Sequence, residues 1–369
     1  MKDKSRVTGH GSRILIAGGG TGGHLFPAIA VAEELSSSHP EIRLAFVGTA
    51  RGLEARVIPL TMWELITMSV PSFKGMGLMF KIKTVLSMPY VLLQAVSIIM
   101  KHKPSLVIGV GGYSAGPITL MAALMLIPTV AMEQNAIPGI TNRILGRFVK
   151  KVFVMFEGSA KYFPKKKVMV LGNPVRKKII DVAAHKPVNR RGFTLLIFGG
   201  SQGARSINQK MVEALNYLTE EKDDLTIIHQ IGRAEDVERF SAIYKAKGFR
   251  AEVYHFIEDM GKAYSSADMV LCRSGATSVA ELSVAGKPSM FIPFPYAADN
   301  HQEANAKELV DVGGAVMLLD KEVTGELLAE KIKDLLGDPL KLDAMSQAMK
   351  RFGKPDAAKN IVNECLKYV

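Results

Sequence analysis

The sequence predicts an α/β protein with two parallel-sheet domains, each a Rossmann-like alternation of strands and helices. Short runs of β-branched and aliphatic residues alternate with longer helical stretches along the 369-residue chain. In each half, an early strand runs directly into a glycine-rich loop, at 18–23 and at 199–204. Pro174, Pro187 and nearby basic residues interrupt this alternation over 173–191, which predicts a domain boundary there.

Each half is expected to contain five strands. In the first half they are 13–17, 44–47, 106–110, 129–132 and 152–155. In the second half they are 194–198, 226–230, 251–255, 269–272 and 289–292. The domains are predicted to span 1–175 and 176–352. The amphipathic pattern of 353–369 predicts a helix that returns to the first domain.

Composition is typical of a folded globular protein, with 48% apolar and 22% charged residues. Cys272 and Cys365 are too few to suggest a disulfide framework or a thiolate metal site. The polar, basic start of the chain does not have the pattern of a secretory signal. A cytosolic, reducing location is therefore expected.

Positive charge is concentrated in the first half of a chain whose formal net charge is +12. Between 141 and 178 there are eleven Lys or Arg residues and one acid, Glu157, and 72–103 holds five lysines and no acid. A basic face of this kind favours a phosphate-rich partner, which can be a nucleic acid, an anionic lipid or a pyrophosphate substrate. A merely solvated basic surface is the alternative.

Two uncharged stretches, 84–100 and 104–132, approach the roughly 20 apolar residues that span a bilayer. Glycines and prolines interrupt the second stretch, which fits a strand, loop, helix and strand, and Pro89 interrupts the first. Integral membrane insertion is therefore not expected.

Residues 72–83 combine lysines with large apolar side chains, as in a peripheral membrane anchor. A core helix whose lysines reach water is the alternative. The residues expected to contact the membrane are Phe73, Leu78, Met79, Phe80, Lys81 and Lys83.

Glycine-rich turns at strand ends expose backbone N–H groups to phosphate. The loop at 18–23 fits a dinucleotide fingerprint, but Arg51 precedes any acid after the second strand, so the ribose-binding carboxylate of an NAD site is missing. A third loop of this kind occupies 109–117. No Gly-Lys-Ser/Thr follows the glycines, so a P-loop is not expected. No Asp-x-Asp occurs, so a metal ion bound to a nucleotide diphosphate is not expected, and no cofactor is predicted.

A strand runs into small and hydroxyl-bearing residues at 272–281, which suit contact with a diphosphate. Glu281, about two turns into the following helix, can accept hydrogen bonds from a ribose diol. A surface helix carboxylate is the alternative interpretation. Residues 293–306 form a turn and helix rich in sugar-binding side chains.

Seven motifs in chain order carry a family resemblance. They are Gly-Gly-Gly-Thr-Gly-Gly-His at 18–24, Gly-Gly-Tyr at 111–113, Glu-Gln-Asn at 133–135, Gly-Asn-Pro-Val-Arg at 172–176, Gly-Gly-Ser-Gln-Gly-Ala at 199–204, Cys-Arg-Ser-Gly-Ala at 272–276 and Asp-Asn-His-Gln at 299–302. Together they resemble the MurG family of UDP-N-acetylglucosamine transferases, over nearly the whole chain. The resemblance implies a GT-B fold, with two domains facing across a cleft, and metal-independent inverting transfer to lipid I, undecaprenyl-pyrophosphoryl-N-acetylmuramyl-pentapeptide.

The resemblance also implies peripheral attachment to the inner face of the plasma membrane. The expected partners are UDP-N-acetylglucosamine, lipid I and an anionic membrane surface, and no nucleic acid. By position, the residues that it implies in substrate binding are Thr21, Gly22, Gly23, Tyr113, Asn135, Arg176, Ser201, Ile257, Ala276, Thr277, Ser278, Val279, Ala280, Glu281 and Gln302. Ile257 would present its backbone to the uracil, and Glu281 would bind the ribose hydroxyls.

Inversion needs a base that takes the proton of the attacking 4-hydroxyl. His24 is the first candidate because histidine ordinarily titrates near neutral pH. A structural role in capping its loop is the alternative, and Glu133 is the second candidate. The family often has His before Glu-Gln-Asn, whereas this chain has Met132, so a base at that position is not expected.

Two other functions stay open at this point. A related GT-B enzyme could use another lipid acceptor or epimerise UDP-N-acetylglucosamine. The basic, apolar segment 73–83 favours a lipid-linked acceptor over a soluble epimerase. A non-enzymatic anion-binding module is the other class, because a phosphate cradle can serve binding alone.

Overall fold

The computed structural model describes residues 11–70, 78–112, 114–183, 192–200 and 203–369, with the side chains of 78–85 and 183 excepted. The chain divides into two compact units. Unit 1 comprises Met1–Gln134, Pro138–Pro174 and Asp356–Val369. Unit 2 comprises Asn135–Ile137 and Val175–Pro355, so a three-residue segment from the first half of the chain lies with the second unit.

Strands and helices alternate along the described residues. The strands are β1 (Arg13–Gly18), β2 (Arg43–Gly48), β3 (Glu64–Thr67), β4 (Leu106–Gly111), β5 (Thr129–Glu133), β6 (Lys151–Val154), β7 (Val168–Val170), β8 (Phe193–Phe198), β9 (Leu225–Gln230), β10 (Arg250–Tyr254), β11 (Met269–Cys272), β12 (Ser289–Phe291) and β13 (Ala315–Met317). The helices are α1 (Gly22–Ser38), α2 (Glu54–Val57), α3 (Leu78–His102), α4 (Ala115–Leu124), α5 (Ile140–Leu145), α6 (Lys177–Ala183), α7 (Arg205–Ala214), α8 (Val237–Ala246), α9 (Met260–Ser266), α10 (Ala276–Ala285), α11 (His301–Asp311), α12 (Gly325–Leu336), α13 (Pro339–Phe352) and α14 (Ala357–Cys365).

Unit 1 is built on a parallel sheet with the order β3-β2-β1-β4-β5-β6-β7. Strand β1 is apolar at every inner position because both faces of the sheet are covered. Ile14 and Ile16 pack in a cluster with α1 and α14, whereas Leu15 and Ala17 face α3 and α4. The C-terminal helix α14 thus belongs to the core of unit 1, where it packs against α1.

Unit 2 repeats the plan with the parallel order β10-β9-β8-β11-β12-β13. Helices α7 and α12 pack over its largest apolar cluster. His229 lies inside it, and its ring nitrogens contact the Tyr244 hydroxyl at 2.8 Å and Asn208 Oδ1 at 3.2 Å. Burial lowers the pKa of His229 to about 3, so this histidine is a neutral structural residue.

All ten predicted strands are confirmed to within a residue or two at each end. Within the described ranges the sequence prediction missed β3, β7 and β13, each of which pairs on one side only. These edge strands are three or four residues long and none is buried throughout. They lack the continuous apolar run of a strand buried on both faces.

The uncharged stretch 104–132 divides into β4, α4 and β5, as predicted. The other stretch lies within α3, which contains Pro89. Across the part of the chain that the structure describes, no helix combines the length and apolar character needed to cross a bilayer.

Candidate active site

Two glycine-rich loops meet in unit 1, at the carboxyl ends of the paired strands β1 and β4. The Gly19 N–H donates to the Gly111 carbonyl at 3.3 Å. Gly18 and Gly111 have φ angles of +141° and +96°, and a Cβ on Gly18 would lie 2.3 Å from the Gly111 carbonyl oxygen. Only glycine can occupy position 18 at this short distance between the two backbones. The two loops therefore pack directly against each other.

His24 lies at the junction of these loops, in the first turn of α1. Thr21 precedes the helix, and its hydroxyl contacts His24 Nδ1 at 3.3 Å. The imidazole is half-buried and lies against Gly111, where an added Cβ would come within 2.7 Å of Cδ2. Gly22 and Gly23 form the start of the same helix. The structure therefore brings His24, Thr21 and both glycine loops together.

Glu133, the second candidate base, is buried at the end of β5. Its Oε2 accepts hydrogen bonds from the Gly139 N–H at 3.2 Å and from Asn142 Nδ2 at 2.9 Å, at the start of α5. This carboxylate therefore organises the β5–α5 connection. Met132, just before it, packs in the apolar core.

Asn135 is held within unit 2 by a residue to which the sequence analysis gave no role of its own within the stretch 293–306. Asn305, on α11, is fully buried and its Nδ2 donates to Asn135 Oδ1 at 3.2 Å and to the Ser274 carbonyl at 3.1 Å. Its Oδ1 accepts from the Ala136 N–H at 2.8 Å. The amide of Asn305 thus fixes the segment that carries Asn135.

Glu281 is buried on α10, not exposed as a surface carboxylate would be. Its Oε2 accepts a hydrogen bond from the Tyr264 hydroxyl at 2.8 Å, and its Oε1 lies 3.6 Å from a guanidinium nitrogen of Arg176. Burial raises the pKa of Glu281, and the neighbouring Arg176 charge and Tyr264 hydroxyl act in the opposite direction. Burial together with the nearby carboxylate raises the pKa of Tyr264, so its hydroxyl remains a donor.

Helix α10 begins at Ala276, after a short connection of residues 273–275 that follows β11, so its first N–H groups lie near the carboxyl edge of the sheet. Thr277 and Ser278 are half-buried in this first turn, whereas Val279 and Ala280 are buried. Val279 is part of the interior, so any ligand contact that it makes must come from its backbone. The helix ends at Gly286 in the left-handed conformation, with φ of 63°.

Ile257 and Gln302 are each held by a backbone contact. The Ile257 N–H donates to Gln230 Oε1 at 3.0 Å, and Gln230 Nε2 donates to the Gly200 carbonyl at 2.8 Å. Gln230 therefore ties the expected uracil position to the loop that follows β8. Gln302 Oε1 accepts from the Phe294 N–H at 3.0 Å.

Arg273 joins the loops at the carboxyl ends of three strands of unit 2. Its guanidinium donates to the Ile292 and Pro293 carbonyls at 2.9 Å each, to Asp320 Oδ1 at 2.6 Å and to the Ser206 hydroxyl at 2.8 Å. These hydrogen bonds of Arg273 hold together the loops from which helix α10 begins.

The sequence-predicted residues divide between the units. Thr21, Gly22, Gly23, His24 and Glu133 lie in unit 1, and Asn135, Arg176, Ile257, 276–281 and Gln302 lie in unit 2. Tyr113, Ser201 and Phe73 lie outside the described residues. Leu78, Met79, Phe80, Lys81 and Lys83 lie on α3, in the part whose side chains are not described.

Two family models match the chain: the glycosyltransferase family 28 N-terminal domain over 14–154, and the C-terminal domain of the same family over 194–361. The crystal structure of Acinetobacter baumannii MurG superposes with a TM-score of 0.79 at 32% identity, covering 96% of this chain and 99% of that one. A Myxococcus xanthus protein named "UDP-N-acetylglucosamine--N-acetylmuramyl-(pentapeptide) pyrophosphoryl-undecaprenol N-acetylglucosamine transferase" is 47% identical over 354 residues, which is 96% of this chain and 92% of that protein. The chain belongs to the MurG family of glycosyltransferases.

The MurG resemblance and the GT-B fold class are thereby confirmed. A Geobacter sulfurreducens protein of the same name is 44% identical over 95% of this chain and 97% of its own length. A UDP-N-acetylglucosamine 2-epimerase also superposes, with a TM-score of 0.70 over 96% of this chain and 95% of that one, but at 15% identity. That likeness shows a shared fold alone, so membership of the MurG family favours the transferase over the epimerase.

Proposed function

We propose that this enzyme transfers N-acetylglucosamine, with inversion, from UDP-N-acetylglucosamine to the 4-hydroxyl of lipid I and so forms lipid II. The observation that carries the proposal is the 47% identity to the Myxococcus xanthus transferase over 96% of the chain. Within the reaction, the acceptor oxygen forms a bond to the anomeric carbon as the bond from that carbon to UDP breaks. The hydroxyl proton passes to a base, and UDP leaves as the diphosphate anion.

Unit 2 is proposed to bind the donor. Glu281 is buried but has an ion-pair partner and a hydroxyl donor, an arrangement that holds its oxygens for a ribose diol. The N-terminus of α10 supplies partial positive charge and N–H donors to the departing diphosphate. Among the described residues, no three His, Cys, Asp or Glu side chains form a cluster that could hold a metal ion. The reaction as proposed involves no metal ion.

Unit 1 is proposed to bind the acceptor, with His24 as the base. In the tautomer whose Nδ1–H donates a hydrogen bond to the Thr21 hydroxyl, Nε2 is unprotonated and is the basic nitrogen. The packing of the ring against Gly111 restricts its orientation. Glu133 is the weaker candidate because its Oε2 already accepts from the Gly139 N–H and the Asn142 amide.

The proposal predicts that the purified chain transfers labelled N-acetylglucosamine from UDP-N-acetylglucosamine to a lipid I analogue in the presence of EDTA. One UDP should be released per sugar transferred. UDP-N-acetylglucosamine incubated without acceptor should remain unchanged, which distinguishes the transferase from an epimerase. Absence of transfer would contradict the proposal, and loss of transfer on adding EDTA would contradict its metal-free form.

A peripheral membrane contact is also proposed, on helix α5 and the turn that follows it. Ile140, Ile144 and Phe148 are 68%, 50% and 48% exposed, and the first two share one face of the helix. Lys167 Nζ donates to the Arg147 carbonyl at 2.6 Å, which places the lysine turn 165–167 beside the end of this helix. Exposed apolar side chains beside several cations fit a surface of anionic lipid. The earlier expectation for 73–83 stays a prediction.

Replacing Ile140, Ile144 and Phe148 together with serine is expected to weaken binding to anionic phosphatidylglycerol vesicles by about tenfold or more, since full burial of just one such side chain contributes about 1.5–3 kcal/mol and about 1.4 kcal/mol is a factor of ten. Vesicle co-sedimentation measures this. Leu340→Ser is the matched control, because Leu340 is an exposed apolar residue of unit 2. Equal binding of the triple variant and the natural chain would place the membrane contact elsewhere.

A further inference from the structure

Glu54 lies directly beneath the glycine-rich loop of unit 1. It is the first residue of α2 and is fully buried. Its Oε2 accepts a hydrogen bond from the Gly20 N–H at 2.6 Å, and its Oε1 accepts from the N–H and the hydroxyl of Thr49 at 2.8 and 2.9 Å. The Gly52 N–H donates in turn to the Thr49 hydroxyl at 3.1 Å. Both carboxylate oxygens are therefore satisfied by donors of the loops around them.

Three glycines from two backbone segments close around this side chain. A Cβ on Gly19, Gly48 or Gly52 would lie 2.2 to 2.4 Å from an atom of Glu54. Gly19 also has a φ of +147°, a conformation that L side chains rarely adopt. The loop after β1 and the turn after β2 are thus shaped to enclose one carboxylate.

In glycine-rich loops that bind phosphate, the backbone N–H groups point at the anionic ligand. Here the N–H of Gly20 points at an anion that belongs to the chain itself. We propose that Glu54 is a positioning residue that takes the place of a ligand anion under the loop at 18–23 and thereby fixes Thr21 and His24. The proposal concerns the transfer reaction and so rests on the proposed function.

The charge of Glu54 has a consequence for the acceptor. Its carboxylate bonds the Gly20 N–H directly, so a pyrophosphate on that same N–H would have to displace it or meet a like charge at close range. While Glu54 holds the Gly20 N–H, that donor is therefore not available to the acceptor pyrophosphate, and the loop at 18–23 is positioned by a group of the chain itself.

Glu54→Ala is expected to lower kcat for transfer by about 100-fold, because a shift of about 1 Å in a reacting group is enough for such a loss. The KM for UDP-N-acetylglucosamine should stay within about twofold, since the proposed donor residues lie in unit 2. Sodium formate should restore part of the lost kcat by occupying the vacated position between the Gly20 and Thr49 donors. Sodium chloride at the same ionic strength should not. Glu41→Ala, which removes an exposed carboxylate ahead of β2, is the matched control.

If the alanine variant does not fold, Glu54→Gln serves as the test variant, because glutamine has nearly the same size and shape as glutamate. Its amide nitrogen must face one of the two N–H donors, so a kcat loss of about tenfold or more is expected, with unchanged thermal stability of unit 2 and unchanged donor KM. A natural chain that transfers no sugar would overturn the proposed function. A natural chain that transfers sugar, with both Glu54 variants within threefold of its kcat, would overturn the role of Glu54 alone.

Discussion

A chain in which His24 is replaced by alanine is expected to transfer N-acetylglucosamine about 100- to 10,000-fold more slowly than the natural chain. The physical reason is that the 4-hydroxyl of the acceptor would lose the proposed base, which takes its proton as the new bond forms. The half-buried imidazole lies between the Thr21 hydroxyl and Gly111, at the meeting point of two glycine loops. Steady-state kcat with a lipid I analogue measures the loss, and binding of UDP-N-acetylglucosamine should be unaffected.

Glu133→Gln is the comparison that separates the two candidate bases. Glutamine keeps an oxygen for the Gly139 N–H or the Asn142 amide, so most of the local structure at α5 should survive. We expect kcat to fall less than tenfold and the free energy of unfolding to fall by about 1–3 kcal/mol, as for a buried polar partner left unsatisfied. A near-normal His24→Ala variant beside an inactive Glu133→Gln variant would assign the base to Glu133. A near-normal kcat in both variants would exclude both His24 and Glu133 as the base.

The central strands were predictable because parallel strands buried on both faces carry near-continuous apolar sequences. β1 and β8 are runs of this kind, and each leads into glycines that the sequence marks clearly. The edge strands β3 and β13 pair on one side only, are partly exposed and have only three or four residues, so they lack a long apolar run. The edge strand β10 was predicted nevertheless, because its five residues alternate in exposure, which is the period of a strand.

The same distinction applies to the site. The glycine loops and Glu281 stand in motifs whose spacing is local, so the sequence alone could single them out as candidates. Glu54 was missed because the expected acid was sought immediately after β2, whereas the residue that reaches the loop stands six positions past Gly48, on α2. Its signal in the sequence was the combination of an acid with Gly48 and Gly52, which a search for a ribose-binding carboxylate does not use.

Tyr264 had no comparable signal, and Asn305 was marked only as part of the polar stretch 293–306. Each stands on a helix distant in sequence from the residue that it holds, and its hydroxyl or amide acquires a partner only through packing in unit 2. A tyrosine or asparagine on a helix is ordinary in composition. What identifies these two is complete burial of a polar side chain with a candidate site residue as its hydrogen-bond partner.

Replacing Glu281 with alanine is expected to reduce kcat/KM for UDP-N-acetylglucosamine by about 100- to 1,000-fold. The variant removes the acceptor proposed for the ribose hydroxyls, takes away the hydrogen-bond acceptor of the buried Tyr264 hydroxyl, and removes a carboxylate from beside the Arg176 guanidinium. Most of the loss should appear in KM, because the ribose is bound in the ground state and in the transition state alike. Glu330→Ala, an exposed carboxylate on α12, is the matched control.

A donor analogue that lacks the ribose 2′-hydroxyl distinguishes loss of recognition from general damage to unit 2. The natural chain should prefer UDP-N-acetylglucosamine over this analogue, since a site built to bond a hydroxyl rejects the compound without it. Glu281→Ala should use both donors nearly equally. Tyr264→Phe, which keeps the carboxylate but removes its 2.8 Å donor, should show a smaller rise in KM and an intermediate preference. If Glu281→Ala is slow with both donors yet keeps the full preference of the natural chain, Glu281 supports the fold of unit 2 and does not bind the ribose.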